Sequence, residues 1–277
     1  MRHSVFLTMV LVLATTAAAQ DWEGDLLGAE AKSDLHGTLG VSWDSEFIWR
    51  GFKMFGSKSA THVVGDLNLW DTGFGVSAAG HYANGSGYVD ATRWDYTAYY
   101  QNGLFAGEPY ATNFRVGYVF YDHPHTVSEW SDLQEVHAVV SWPNLLPIQG
   151  LCPTYVAANV WPGKSDSRLE DVADGWFHIF MLDYGFTVQG VIPDIPEHLI
   201  RLHGEIVYND GVDPIGPGIN KQFSHAVFGV ATDVTLEEGA TLTPSLYYQI
   251  AMERGLEERN GDSSDELWAS LGLTISF

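Results

Sequence analysis

Apolar and polar residues alternate along most of this chain with a period of two. Between Leu35 and Trp49 the odd positions are mostly apolar, including Leu39, Val41 and Phe47, while the even positions are mostly polar. Successive side chains of an extended backbone point to opposite faces. The pattern therefore predicts a strand with one apolar and one polar face.

The same alternation recurs to the C-terminus and predicts about twelve strands. Their lengths are near the 9 to 11 residues that a tilted membrane strand requires, and their number is even. We therefore expect an all-β fold, a transmembrane antiparallel β-barrel over residues 35–277. The segments lie at 35–49, 62–70, 74–83, 93–101, 110–121, 132–142, 151–161, 175–188, 198–208, 223–236, 241–251 and 266–277.

The connections between these segments alternate in length. Along the chain, short turns such as 71–73 alternate with longer polar loops such as 252–265. Short turns on one side and long loops on the other are typical of outer-membrane barrels. A soluble β-sandwich also has short alternating strands. The segregation of loops by length and the aromatic residues at strand ends favour the membrane barrel.

The N-terminus carries the pattern of a secretory signal peptide. Arg2 precedes an apolar run at 5–14 and a small-residue stretch at 15–19. This predicts a signal peptide at 1–19, followed by a periplasmic N-terminal segment at 20–34. The apolar run is shorter than the roughly 20 residues of a membrane-spanning helix. The expected location is the cell outer membrane of a Gram-negative bacterium.

Composition excludes several classes of function. The formal net charge of -22 makes phosphate binding, and therefore nucleic-acid binding, implausible. The single cysteine, Cys152, cannot form an intramolecular disulfide. The chain lacks the G-x-S-x-G and H-E-x-x-H motifs. We therefore expect no enzyme activity, no catalytic residue, no cofactor and no metal site.

The last predicted strand ends on the final residue, Phe277, and its odd positions form one apolar face. This resembles the C-terminal signal by which bacterial outer-membrane barrels are recognised for assembly. The resemblance implies the barrel-assembly machinery as a partner.

A second resemblance lies in the stretch SWDSEFIWRGF. A short acidic segment, aromatic residues and then Arg-Gly resemble the opening strand of the TorF family of Gram-negative porins. The residues are Asp44, Glu46, Phe47, Trp49, Arg50 and Gly51. The resemblance covers the first strand only, and it implies an outer-membrane barrel with a transport function.

Strand parity predicts which side chains face the lumen. They carry both signs of charge, which leaves two interpretations: partnered charges that fill the lumen, or a selective lining for a passing solute. The predicted lumenal residues are Asp44, Glu46, Arg50, Asp66, His81, Arg93, Asp95, Tyr99, Arg115, Glu135, His137, Asp183, Arg201, His203, Glu205, His225 and Asp233.

In the first strand we expect Trp43, Phe47 and Trp49 to face lipid. Arg50 is expected at the outer end of that strand, facing the lumen.

These features predict a porin-like channel through which small hydrophilic solutes or ions pass, in contact with outer-membrane lipid. Acidic residues in the long loops predict a preference for cations. The alternative is a plugged barrel with a structural or surface-contact role. The loop acids are Glu170, Asp171, Asp174, Asp210, Asp213, Glu253, Glu257, Glu258, Asp262 and Asp265.

Overall fold

Twelve antiparallel strands close into a barrel in the computed structural model of the chain. The structure describes residues 35–127, 131–164, 167, 173–190, 197–213, 221–237, 239–253 and 265–277. The predicted signal peptide and the segment at 20–34 lie outside these ranges.

The barrel strands match the predicted segments closely, apart from the first. They are β1 His36–Asp44, β4 Ala60–Asn68, β5 Phe74–Ala83, β6 Arg93–Leu104, β7 Thr112–Asp122, β8 Leu133–Ser141, β9 Leu151–Pro162, β10 Gly175–Gln189, β11 Glu197–Asn209, β12 Gln222–Glu237, β13 Ala240–Ala251 and β14 Asp265–Ser276. Two further strands of two residues each, β2 Ile48–Trp49 and β3 Phe52–Lys53, pair inside the barrel, and a short 3-10 helix spans Val89–Ala91.

The first and last strands close the wall. β1 pairs with β14 in a register that places Trp43 opposite Leu271. Gly37 and Phe277 exchange two backbone hydrogen bonds, each of 3.0 Å, at the end of this seam. Because closure leaves no open sheet edge, all backbone groups of the wall can pair within it. The predicted twelve-stranded barrel is confirmed.

The outer face of the wall is apolar. Leu39, Val136, Phe228 and Leu271 are each about half exposed, whereas the strand neighbours of Val136 and Leu271 on the other face are buried. A contiguous apolar belt of this kind is what lipid covers in an outer-membrane barrel. Among the described residues, no helix has the length and apolar character needed to span a membrane.

The first strand is shorter than predicted. Trp43 is 44% exposed on the outer face, as expected, but β1 ends at Asp44. Phe47 and Trp49 are each 2% exposed, so the prediction that they face lipid is wrong. Beyond Asp44 the chain leaves the wall and enters the lumen. Its aromatic side chains are therefore buried inside the barrel and not in lipid. We call residues 45–59 the inner segment.

Candidate functional site

The inner segment enters and leaves the lumen at the end of the barrel that carries the longer connections. At its start the backbone N–H of Ser45 donates to the carbonyl of Ala269 at 2.8 Å. The Ser45 hydroxyl accepts from the N–H of Ala269 at 2.9 Å. At its end the N–H of Asn84 donates to the carbonyl of Ser59 at 2.7 Å. Both ends are thus fastened to neighbouring strands.

Within the segment, β2 and β3 form a hairpin whose turn is Arg50-Gly51. The φ angles are 50° at Arg50 and 91° at Gly51. Two successive positive φ angles are typical of a two-residue type I′ turn, which favours glycine. The carbonyl of Gly51 accepts from Nε2 of Gln249 on β13 at 3.1 Å. The arginine therefore lies at the tip of a hairpin, and the prediction that Arg50 ends the first strand is wrong.

The aromatic side chains of the segment pack against the lumenal wall. Trp49 makes edge contacts with Tyr121 and Phe177, with ring centroids 5.5 Å and 6.3 Å away. Phe47 and Phe55 pack together at 5.2 Å. Burying each such side chain contributes about 1.5–3 kcal/mol, which holds the segment in place. The wall residues of the same apolar cluster include Val119, Val139, Val156, Ala158, Val160, Ile179, Met181 and Val207.

An ion pair joins the tip of the hairpin to the wall. Nη2 of Arg50 lies 2.5 Å from Oε2 of Glu135 on β8, and both side chains are buried. The same carboxylate accepts the Tyr121 hydroxyl at 2.8 Å and contacts Nδ1 of His137 at 3.1 Å. The guanidinium carbon of Arg50 also lies 4.7 Å from the centroid of the Phe177 ring.

A second charged contact fastens the other side of the hairpin. Nζ of Lys53 lies 2.9 Å from Oε2 of Glu266 on β14 and 3.1 Å from Oε2 of Glu46. Burial lowers the pKa of Lys53, but the hydrogen bonds to Glu266 and then Glu46 outweigh it and leave that pKa raised. Glu46 was predicted to lie on the first strand and instead belongs to the inner segment.

A polar cluster lies beneath Phe47. Nδ1 of His62 and Nδ1 of His81 are 2.7 Å apart. Their Nε2 atoms contact carboxylates, His62 with Asp44 at 3.3 Å and His81 with Asp95 at 3.1 Å. The Phe47 ring lies 4.8 Å from the His62 ring and stacks on His81 at 4.9 Å.

Arg93 belongs to the same cluster. Its Nε lies 2.7 Å from Oδ1 of Asp95, and its Nη2 donates to Oδ2 of that residue at 2.9 Å.

Nearer the short turns, the predicted lumenal residues form smaller groups. The Tyr99 hydroxyl donates to Oδ1 of Asp66 at 2.8 Å, and the Arg115 guanidinium lies 3.5 Å from the centroid of the Tyr99 ring. On the opposite wall, Nη2 of Arg201 donates to Oδ1 of Asp233 at 2.6 Å.

His203 connects two further carboxylates on that wall. Its Nδ1 lies 2.7 Å from Oδ1 of Asp183, and its Nε2 lies 3.5 Å from Oε2 of Glu205. His225, on β12, is buried and its Nδ1 lies 2.9 Å from the Ser224 hydroxyl. Asp66, Asp183, His203 and Asp233 are only partly buried.

Three of the predicted loop acids are buried or paired. Asp213 and Glu253 are fully buried, and Asp210 pairs with Lys221 at 3.1 Å. Asp174 and Asp265 lie at the outer starts of β10 and β14. The remaining loop acids, Glu170, Asp171, Glu257, Glu258 and Asp262, lie outside the described residues.

Sequence reasoning missed the inner segment as a separate element. One signal for it exists, because Phe47, Ile48 and Trp49 are three consecutive apolar residues. The signal is weak on its own, because the wall strand β10 also carries a run of consecutive apolar residues, Ile179 to Leu182. The side chains of Phe47, Ile48 and Trp49 are all buried in the structure.

A closed wall, an apolar outer face and a charged interior define an outer-membrane β-barrel, and this protein is located in the outer membrane. Solved structures of two porins are among those that share the fold. A NanC porin is 10% identical, with 87% of this chain and 100% of that chain covered and a TM-score of 0.51. A KdgM porin is 10% identical, with coverages of 87% and 99% and a TM-score of 0.50.

At this identity the likeness shows the fold alone. LpxR from Salmonella typhimurium is also similar, at 11% identity, with 87% of this chain and 100% of that chain covered and a TM-score of 0.46. No protein-family model matches the sequence, and no curated protein matches it significantly. The resemblance to the TorF family therefore stays a hypothesis.

Proposed function

We propose that this protein is an outer-membrane channel for small hydrophilic solutes, with a preference for cations, and that the inner segment closes its outer half. Barrels of about eight strands are filled by their own side chains, whereas those of 16 to 18 strands leave an aqueous channel. Twelve strands lie between these limits. What occupies the lumen therefore decides whether solute passes.

The observation that carries the proposal is that the wall is complete without the inner segment. β1 and β4 pair directly over their full length, from His36 opposite Asn68 to Asp44 opposite Ala60. The inner segment adds no strand to this ladder. Its displacement would leave every hydrogen bond between wall strands intact, so the closure is separable from the barrel.

The walls below the segment support passage of polar solutes. Asp66, Asp183, His203 and Asp233 face the lumen and retain partial exposure. Acidic and basic groups on opposed walls can orient a hydrated solute and contribute to selectivity. The pore-lining role of the predicted lumenal residues is part of this proposal.

The cation preference rests on net charge. The chain carries -22 formal charges, and a negative potential raises the local concentration of cations and disfavours anions. Salt weakens this effect, because the Debye length falls to about 3 Å at 1 M ionic strength. A reversal potential measured in a gradient of dilute salt should therefore indicate cation selectivity, which should decrease in concentrated salt.

Liposome swelling tests the channel with a variant in which residues 45–59 are replaced by Asn-Gly. This sequence favours the two-residue turn needed to join Asp44 to Ala60. We call it the turn variant. Liposomes that contain it should swell in small sugars much faster than liposomes that contain the wild-type protein. Absence of swelling with a correctly folded turn variant would refute the channel.

A plugged barrel is the second candidate, and the burial of the inner segment favours it. Ile48, Phe52 and Phe55 are at most 1% exposed, and the Arg50–Glu135 pair ties the hairpin to the far wall. If wild-type liposomes never swell under any condition while those with the turn variant do, the barrel is permanently closed in its native form. A structural or surface-contact role would then be the better account.

A further inference from the structure

The histidine pair beneath the inner segment has an unusual requirement for protons. Three contacts run in a row: Asp44 to Nε2 of His62, Nδ1 of His62 to Nδ1 of His81, and Nε2 of His81 to Asp95. Their lengths are 3.3 Å, 2.7 Å and 3.1 Å. The two shorter contacts are hydrogen bonds, and each needs one proton, whereas Nε2 of His62 makes no hydrogen bond to Asp44 and that contact is electrostatic. A neutral imidazole carries one proton and a charged imidazole carries two.

Two neutral histidines therefore supply two protons for three contacts. With two protons, one nitrogen lone pair faces either another lone pair or a carboxylate. With four protons, two N–H groups face each other across the 2.7 Å between the Nδ1 atoms. Two protons are enough for the two hydrogen bonds, and a third proton, on Nε2 of His62, places an N–H instead of a lone pair beside the Asp44 carboxylate. The pair then shares one extra proton and carries one positive charge.

The surrounding charges agree with this count. The buried carboxylates Asp44 and Asp95 contribute two negative charges, and Arg93 contributes one positive charge. The extra proton on the histidine pair brings the buried cluster to neutrality, which is the state that low-polarity surroundings favour. Loss of that proton leaves a net negative charge, and gain of another leaves a net positive charge.

The other groups packed around the cluster leave this balance unchanged at neutral pH. From β14, the Ser270 hydroxyl donates to Oδ1 of Asp44 at 2.6 Å. From β7, the Tyr121 ring faces the Arg93 guanidinium at 4.9 Å. Just after β7, burial, and next the charge of Arg93, lower the pKa of His123 to about 4, so this imidazole is neutral at pH 7.

A proton rather than a metal ion fits this pair. A bridging metal would need an N-to-N distance above 3 Å, given metal-to-nitrogen bonds of about 2.0–2.1 Å in a tetrahedral site. Among the described residues, no group of three or more His, Cys, Asp or Glu side chains is arranged so that it could hold a metal ion.

We propose that the His62–His81 pair is a proton-operated latch for the inner segment. This rests on the proposed function, in which that segment closes a channel. Phe47 lies against both imidazole rings, and Arg93 lies 5.5 Å from the Phe47 ring centroid. A fourth proton forces the two rings apart and adds a second positive charge to the cluster. The surface on which Phe47 rests is then lost, and the segment loosens.

Planar-bilayer recording at about pH 7 and about pH 4.5, on either side of the ordinary range of histidine, tests the latch. We expect the wild-type conductance to rise several-fold at the acidic pH. His62→Gln should abolish this rise, because glutamine cannot take up a proton. If His62→Gln does not fold, His81→Gln replaces it in the experiment, with the same expected result. His178→Gln is the matched control, because His178 pairs with Tyr155 on β9 outside the cluster and should leave the response unchanged.

Two further measurements separate the latch from the channel. If the turn variant conducts but the wild-type conductance does not change with pH, the latch is wrong and the channel stands. If the turn variant does not conduct, the channel is wrong, and amide hydrogen exchange of residues 45–59 still tests the latch. Exchange, corrected for its intrinsic pH dependence, should accelerate in acid in the wild type but not in His62→Gln. Equal acceleration in both would overturn the latch.

Discussion

Arg50 and Glu135 are 85 positions apart in the chain, yet Nη2 of Arg50 lies 2.5 Å from Oε2 of Glu135. The side chains are 1% and 0% exposed. One partner lies at the tip of a hairpin inside the barrel and the other on the wall strand β8. The pair thus joins a segment that closes the lumen to the wall that surrounds it.

Arg50→Met should destabilise the folded protein by about 3–5 kcal/mol, because it leaves the buried carboxylate of Glu135 without its cation. Equilibrium urea unfolding in detergent micelles measures this loss. Arg50→Met combined with Glu135→Gln should lose much less, because no uncompensated charge remains. A single variant as stable as the wild type would show that the pair does not hold the hairpin.

The contact of Lys53 with Glu46 and Glu266 predicts a dependence on alkaline pH. The pKa of Lys53 is raised in the folded state, so its contribution is complete below the ordinary lysine pKa of 10.5. The contribution is lost as pH rises through the higher folded-state value. Hydrogen exchange of residues 45–59, corrected for intrinsic rates, should therefore accelerate more steeply above about pH 10.5 in the wild type than in Lys53→Met. The same profile for both proteins would contradict this prediction.

Val230→Arg should impair folding into lipid bilayers. Val230 is 41% exposed on β12 in the apolar outer face. An arginine on the lipid face near the midplane costs about 2–4 kcal/mol. Val89→Arg is the control, because Val89 is 63% exposed in the 3-10 helix outside the wall and should tolerate the charge. Equal losses in folding into vesicles would contradict the assigned outer face.

Opposite charges below the inner segment should shift ion selectivity in opposite directions. In the turn variant, Asp66→Asn should reduce cation preference because it removes a negative charge, and Arg115→Gln should increase it because it removes a positive charge. Both side chains contact Tyr99. Reversal potentials in a salt gradient report both shifts. Tyr118→Phe on the outer face should change neither. Identical reversal potentials in all variants would mean that this group does not line the pore.

The wall was predictable from sequence because a strand in a barrel is specified locally. Each strand must present apolar residues to lipid at every second position, so its pattern can be read without knowing its neighbours. This is why β5 has the predicted bounds of 74–83 and why Asp95 and Glu135 are buried while their strand neighbours Tyr96 and Val136 are exposed.

The inner segment was not predictable in the same way. Alternation distinguishes two faces of a strand but does not show where a strand ends when the following residues are also apolar. Phe47 and Trp49 occupy odd positions, like the apolar residues of β1 that face lipid. Their side chains are nevertheless buried in the lumen. The partners that hold them, such as Phe177 and His81, come from distant parts of the chain, and local patterns do not reveal such pairings.

The central claim is that residues 45–59 close an otherwise continuous channel. Single-channel recording of the turn variant beside the wild-type protein, at neutral pH and in the same lipid, tests it most directly. The account predicts stable conductance steps in the turn variant and far smaller or rarer ones in the wild type. Equal conductance in the two proteins, or none in a turn variant whose folded barrel is verified by circular dichroism, would contradict it.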